Sequence, residues 1–363
     1  MGVTGFFSYI KESFPGLIKD GHISQFAHQR VFVDIASYIY KYVSIHGSSS
    51  NRWIHCLVGL VGSFVKNSVH AVFVFDGAPP PEKQQEIEER KEKKQKQSDR
   101  VDTLDQSVQK YKNGDRNQEV IDVLKHELEN LSKKGKGPRV QRLLRENNPN
   151  HISEKDLTNL EEYCESLRSS LARLKEEDIT FLRELFHAMG VTTILAPNES
   201  EAYCCFLVRE GMGHAVVSCD SDCLLHRTPV LIRSIENGGV VQWIELHELL
   251  DQWEIDEQQL IDVGILIGCD YNKGSRVNKI GKMKAMPMIK KYGRLEDIPN
   301  IILEPLKHEE CRRLFNPEYD KDVVVETMFV DNDRIEDLCR ERRLNYEFII
   351  ENCTIKKKQL KFE

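Results

Sequence analysis

Apolar residues along this chain follow two rhythms. Short continuous runs of strand length, Val31-Phe32-Val33 and Ala71-Val72-Phe73-Val74-Phe75, lead directly into Asp34 and Asp76. Two later runs behave alike: Val191 to Leu195 precedes Ala196-Pro197, and Ala215-Val216-Val217-Ser218 precedes Cys219-Asp220. A run without alternation has no polar face, so each predicts a strand buried on both sides of a parallel sheet. Helical stretches fill the gaps, and strands alternating with helices predict an α/β fold with a largely parallel sheet. Ligands of such sheets bind beyond the carboxyl ends of the strands, which is where these aspartates collect.

The second rhythm is helical and occupies the middle of the chain. Lys83 to Lys96 is almost wholly Glu, Lys, Arg and Gln, a strong helix former with no apolar stripe to bury. Farther on, Ile121, Leu124, Leu128 and Leu131, and then Leu157, Leu160, Cys164, Leu167, Leu171 and Leu174, recur at spacings of three and four. That is a heptad-like seam on each of two helices. Between them Lys133-Lys134-Gly135-Lys136-Gly137-Pro138-Arg139 is basic and rich in helix breakers. The pattern predicts a helical hairpin projecting from the sheet domain; an ordinary pair of core helices has the same spacing. After Asp270 the chain turns helical again, and the Lys356 to Lys361 tail reads as solvated. The expected organisation is residues 1–100 and 176–275 for the sheet core, 101–175 for the hairpin, and 276–363 for a helical region and tail.

Composition narrows the function classes. The 363 residues correspond to about two domains, and no apolar run approaches the ~18 residues of a membrane span. The N-terminus lacks a signal-peptide layout, so a soluble intracellular protein is expected. Ten cysteines occur without any C-x2-C pair, which leaves zinc and redox motifs unsupported and predicts reduced, mostly buried thiols. The net charge is −7, yet residues 83–145 carry 17 Lys/Arg against 12 Asp/Glu. The acidity lies elsewhere, and seven carboxylates account for it.

These seven are Asp34, Asp76, Glu199, Glu201, Asp220, Asp222 and Asp270. Taken singly, an Asp after a strand is a helix cap or an Asx-turn, and Glu199 complements a helix N-terminus. Jointly, clustered carboxylates raise one another's pKa unless cations neutralise them. Hard oxygen donors without clustered His or Cys favour Mg2+, with Mn2+ as a substitute, over zinc. Two such ions, about 3.5–4 Å apart, suit phosphodiester hydrolysis. Lys83 and Arg90, seven residues apart, would share a helix face close to Asp76 and offer cations to a scissile phosphate; a solvated helix surface is the plain alternative. Tyr40, six beyond Asp34, offers a stacking face to a splayed base, or a core ring.

Six segments in order resemble the XPG-like structure-specific 5′ nucleases, and among them the flap endonucleases. They are Met1-Gly2-Val3-Thr4-Gly5, residues 33–40, Val74-Phe75-Asp76-Gly77-Ala78-Pro79-Pro80, residues 196–202, residues 217–222 and Ile267-Gly268-Cys269-Asp270-Tyr271. The resemblance implies a PIN-like nuclease core acting on DNA near 5′ flaps and junctions, in replication, repair or recombination. It implies one metal served by Asp34, Asp76, Glu199 and Glu201 and a second by Asp220, Asp222 and Asp270. Lys83 and Arg90 match the family's phosphate-steering pair, Tyr40 its stacking tyrosine and Gly2 its glycine beside the active site. The hairpin would then be an enlarged helical arch. A monomer working in the nucleus, or a host nucleus for a viral protein, is what the resemblance implies, with the cytoplasm as the alternative.

Two departures from the family pattern stand out. The helix-two-turn-helix turn, Gly-Ile-Gly in the family, corresponds here to Asn278-Lys279-Ile280-Gly281-Lys282. Lys279 carries a Cβ where glycine supplies positive φ, which places a potassium site in question, and Pro287 predicts a kink in the following helix. Lys279, Gly281, Lys282 and Lys284 remain candidates for gripping duplex phosphates. The second departure is that the insert is long and the tail lacks a sliding-clamp peptide, which points to a divergent, viral branch. The rival readings are a 5′→3′ exoribonuclease of related architecture and a catalytically inactive nucleic-acid scaffold.

Overall fold

The computed structural model describes residues 3, 5–133, 152–171, 174–236, 238–272, 280–320 and 329–353. Gly2, Asn278, Lys279 and the lysine-rich tail lie outside them. The chain divides into two compact units. The first comprises Met1–Tyr42, Asn51–Ile87 and Lys175–Glu363, and the second comprises Val43–Ser50 and Glu88–Leu174.

The first unit is built on one sheet of seven described strands. These are β1 (Lys19–His22), β2 (Arg30–Asp34), β3 (His70–Phe75), β4 (Thr193–Leu195), β5 (Ala215–Val217), β6 (Val230–Ile235) and β7 (Val240–Glu245). Their order is β1-β7-β6-β5-β2-β3-β4. From β6 through β4 every pairing is parallel, with Val33 in register with Phe73 on one side and Val217 on the other. The β6–β7 and β7–β1 pairings are antiparallel. Three of the four apolar runs, in β2, β3 and β5, form the buried parallel centre they predict, whereas the fourth gives β4, an edge strand whose Leu195 is exposed, and the fold is α/β. The antiparallel edge went unread because β6 and β7 interrupt their apolar residues with Arg233, Ser234 and Gln242, and β1 is Lys-Asp-Gly-His.

Both faces of the centre are covered, which is why those strands carry no polar alternation. On one face Phe73 meets Phe186 at 5.1 Å and Phe64 at 5.9 Å, both edge-on; these rings come from helices Glu176–Ala188 and Arg52–Lys66. On the other, Phe32, Val72, Val74 and Val216 join a core with helices Ser200–Arg209 and Glu257–Ile267. Beyond the latter, a 3-10 turn Asp270–Asn272 precedes helix Lys282–Tyr292. That helix contains Pro287 yet continues to Tyr292 and buries Ala285, Met286 and Ile289. All ten cysteines are free thiols, eight of them buried, and no described helix is long and apolar enough to cross a membrane.

The second unit has its own core. The seam residues Ile121, Leu124, Leu128 and Leu131 on helix Gln118–Lys133 face Leu157, Leu160 and Cys164 on helix Glu154–Leu171. A third helix, Gln84–Lys112, adds Val101, Leu104, Val108 and Tyr111 from its C-terminal half. The two-helix hairpin is therefore a three-helix packing. Its missing member was hidden because the helix is polar for its first four turns and becomes amphipathic only afterwards. Arg100 forks onto the buried Glu127, its Nε at 2.6 Å from one carboxylate oxygen and its Nη2 bonded to the other. The backbone N–H of Ile152 donates to Tyr111 Oη at 2.9 Å.

One buried group in the first unit makes stability depend on pH. His226 is fully buried with its ring edge-on to Phe315 at 5.1 Å. Burial, reinforced by the charges of Lys83 and Arg209, pushes its pKa down to about 3. A depressed pKa means the unfolded chain takes up the proton first, so this stability is present above about 6.5 and is lost as pH falls towards 3. Equilibrium urea unfolding at pH 7 and pH 5 should show wild type losing about 2 kcal/mol more than His226→Phe across that interval.

Candidate active site

The strand order β5-β2-β3 brings the carboxyl ends of three neighbouring strands together. Asp34 is the last residue of β2, Asp76 follows β3, and Asp220 lies three residues beyond β5. Asp34, Asp220 and Asp222 are each 2% exposed and Asp270 is 6% exposed, whereas Asp76 is open to solvent. Glu199 is the residue before helix Ser200–Arg209, and Glu201 stands in its first turn. A helix N-terminus favours negative charge there.

Hydroxyls and backbone amides knit these acids together. Ser200 Oγ lies 2.7 Å from Asp34 Oδ1 and 2.7 Å from Asp76 Oδ1, while its N–H donates to Asp76 Oδ1 at 2.9 Å. Ser218 Oγ donates to the other oxygen of Asp34 at 2.7 Å. The Asp222 N–H donates to Asp220 Oδ1 at 3.0 Å, and the Val3 N–H donates to Asp222 Oδ1 at 2.6 Å. A serine has one hydroxyl hydrogen, so Ser200 cannot donate to both aspartates at once. Burial and the neighbouring Asp76 raise the Asp34 pKa to about 6, against the two serine hydrogen bonds. Burial and then Asp220 raise Glu201 well above the carboxylate range, and burial, Asp220 and Asp270 do the same to Asp222.

Lys83 supplies the compensating charge. It ends a 3-10 turn, Pro81–Lys83, one residue before the long helix, and is 7% exposed. Its ammonium bonds Glu199 and lies 3.6 Å from Glu201 and 3.8 Å from Asp270. Burial alone would lower its pKa, but Glu201, Glu199 and Asp270 outweigh it and hold the group cationic. Tyr271 closes this side: its Oη donates to Glu199 Oε2 at 3.2 Å, and the Lys83 Nζ stands 5.4 Å from its ring centroid. Burial and the nearby glutamates keep the Tyr271 phenol protonated far above its usual range.

The predicted residues fare unequally. The first unit gathers all seven carboxylates and Lys83. Tyr40 is 54% exposed on helix Ile35–His46, which begins directly after Asp34. Arg90 is exposed on the helix Gln84–Lys112, in the second unit. Lys83 directly precedes that helix and belongs to the first unit. Lys282 bends onto helix Phe6–Ser13, its Nζ 2.8 Å from Ser8 Oγ and 3.1 Å from Glu12 Oε2. Gly281 and Lys284 are exposed; Gly2 and Lys279 fall outside the described residues. Ser200, Ser218, Tyr271 and Arg233 were missed. The first three each lie within two residues of a counted acid, a signal that adjacency alone carries. Arg233, whose guanidinium sits 3.7 Å over the Phe7 ring and donates to the Cys219 carbonyl, comes from the unpredicted β6 and had no signal.

The donor chemistry fits a hard divalent cation: carboxylate oxygens only, most of them desolvated, with burial and then mutual repulsion raising the pKa values of Asp34, Glu201 and Asp222. The spacing is open, because no three of the seven bring one oxygen each within 4.8 Å of the others. Among the described residues the set that does is Glu245, His247 and Glu248 at the end of β7, where the two glutamates hold Lys19 at 2.8 and 2.6 Å. A closed coordination shell at the main site needs its carboxylates to move inward.

Comparison with known proteins agrees with this architecture. Residues 1–97 match the XPG N-terminal domain and residues 190–270 match the XPG I-region. Flap endonuclease 1 of Sordaria macrospora is 26% identical over 312 residues, covering 82% of this chain and 66% of that protein. The chain thus spans just under two thirds of that relative's length. The flap endonuclease-1 structure from Methanococcus jannaschii superposes with a TM-score of 0.60 at 20% identity, covering 94% of this chain and 96% of that one. The catalytic core of Rad2 in complex with DNA substrate gives 0.63 at 15% identity, covering 95% and 98%. At those identities the two structures establish the fold.

Gly77 is the tightest point of the scaffold under the site. Its N–H donates to the Asn198 carbonyl at 2.7 Å, and a Cβ there would stand 2.1 Å from the Ala196 carbonyl oxygen. The nearest atoms are all backbone of Ala196 and Pro197, so nothing flexible is there to yield. Gly77→Ala should lower the free energy of urea unfolding by about 1–3 kcal/mol, the usual cost of forcing extra volume into packed structure.

Proposed function

The chain belongs to the XPG family of structure-specific nucleases, and from that membership we propose that it hydrolyses DNA phosphodiesters at 5′ flaps or junctions with divalent metal. The observation that carries the reading is the set of buried carboxylates at the carboxyl ends of parallel strands, with the Lys83 ammonium among them. Such a crevice repels a phosphate unless cations line it, and it has no other obvious use for so many desolvated acids.

In this reading Asp34, Asp76, Glu199 and Glu201 hold one Mg2+ and Asp220, Asp222 and Asp270 hold a second, with Mn2+ as substitute. When bound, such ions activate water and stabilise the leaving oxygen. The chain's own groups do the rest. Ser200 and Ser218 fix the orientation of Asp34 and Asp76. Lys83, held cationic, offers a hydrogen-bond donor to a non-bridging phosphate oxygen and stabilises the charge that builds on it. Arg90 joins Lys83 in steering the phosphate. Tyr40 presents its exposed ring to an unpaired base, and Gly2, Lys279, Gly281, Lys282 and Lys284 contact the DNA backbone. Lys282 would first exchange Glu12 for a phosphate. The proposed setting is DNA replication, repair or recombination in the nucleus, carried out by a monomer.

End-labelled substrates test this directly: a 5′ flap, a 3′ flap, a matched duplex and single-stranded RNA, each with Mg2+ or EDTA. The 5′ flap should be cut near its junction and EDTA should abolish the cut. Asp220→Ala should lower kcat by a factor on the order of 10³ and Lys83→Ala by one of roughly 10² to 10³, with DNA binding retained. Degradation of RNA with the flap intact would instead assign an exoribonuclease, and no cleavage of any substrate would leave a binding scaffold.

A further inference from the structure

We propose that Tyr271 is a positioning residue of the site, whose ring carries the Lys83 ammonium and whose hydroxyl orients Glu199. The inference rests on the nuclease reading above and extends it to a residue outside the acidic set. Three contacts converge on this side chain. Its Oη donates to Glu199 Oε2 at 3.2 Å while Lys83 bonds the other oxygen, Oε1, so the carboxylate plane is fixed from both sides. The Lys83 Nζ lies 5.4 Å from the ring centroid, within cation–π range. The ring packs edge-on against Phe315 at 5.1 Å and is 7% exposed.

The support behind Tyr271 is rigid. Asn272 closes its turn, accepting from the Cys269 N–H at 2.8 Å and donating to the Ile265 carbonyl at 3.0 Å. Phe315 directly follows helix His308–Leu314. That helix is pinned by Arg312, whose Nε and Nη2 fork onto the buried Asp262 at 2.7 and 2.6 Å. A lysine has four rotatable bonds and a strongly hydrated head, so a buried ammonium needs a surface that selects one position. The aromatic face provides it in a desolvated site. A ring that merely filled space would need no hydroxyl aimed at Glu199.

Tyr271→Phe and Tyr271→Leu in the full chain, alone and combined with Lys83→Ala, test the assignment. Mn2+ affinity of the DNA-free protein, read by electron paramagnetic resonance, should weaken roughly 10-fold in Tyr271→Phe, as for other residues that orient a ligand. On 5′-flap DNA, Tyr271→Leu should lower kcat roughly 10- to 100-fold with KM within about two-fold, and should cost less once Lys83 is already alanine than it does alone. Unchanged Mn2+ affinity in Tyr271→Phe, together with losses that multiply in the double variant, would overturn the proposal. Should Tyr271→Leu fail to fold, Tyr271→Phe decides alone. A wild type that cuts no flap would defeat the nuclease reading, and the Mn2+ comparison would still decide the role of Tyr271.

Discussion

Mutual repulsion among buried carboxylates is the constraint around which the first unit is arranged. Neighbouring strands lie roughly 4.8 Å apart, so acids at the ends of β2, β3 and β5 are brought close by sheet pairing itself. Asp34 and Asp220 are further desolvated by burial, while Asp76 stays open to solvent. A fold could avoid this by placing neutral residues there. This chain instead counters it locally: Ser200 and Ser218 donate hydrogen bonds, the N-terminus of helix Ser200–Arg209 faces the acids, and Lys83 is buried among them. The residual imbalance remains visible in the raised pKa values of Asp34, Glu201 and Asp222.

Lys83 illustrates why position within an element matters more than composition. It opens a run of Glu, Lys, Arg and Gln that looks uniformly solvated. Yet the prolines at 79, 80 and 81 hold the chain extended and then turn it, so that this one lysine points inward before the helix begins. Its charge is retained because three acids outweigh the cost of burial. Removing any one of those acids changes the environment of the others, and the site behaves as one coupled electrostatic unit.

Much of this was legible in the sequence, and the failures share a cause. The central parallel strands β2, β3 and β5 were readable because burial on both faces removes polar alternation, and six of the seven acids stood out because each ends or follows an apolar run, whereas Asp270 follows a helix. The antiparallel edge was not, because β1, β6 and β7 carry the mixed composition of strands with a wetter face. The same strands hid Arg233. In the second unit the seam of Ile121 to Leu131 was plain, but the helix that completes the core mixes an all-polar half with an amphipathic one, so its average pattern concealed Val101, Leu104, Val108 and Tyr111. Ser200, Ser218 and Tyr271 sit beside acids that the sequence pattern singles out. What they do depends on which side chains the fold brings opposite them, and one-dimensional spacing does not carry that.

The cost of gathering acids has a thermodynamic counterpart. Repulsion that destabilises the folded chain is relieved by any cation that binds the folded arrangement and not the unfolded one, and the relief appears as stability that grows with cation concentration. The same unfavourable energy therefore sets both how marginal the site is by itself and how strongly it attracts positive charge. Serine donors and Lys83 reduce the repulsion enough for the chain to fold; had they cancelled it, little drive for a divalent ion would remain. The open spacing of the seven carboxylates agrees with that balance, since a shell already closed upon itself would demand more counter-charge than one lysine provides.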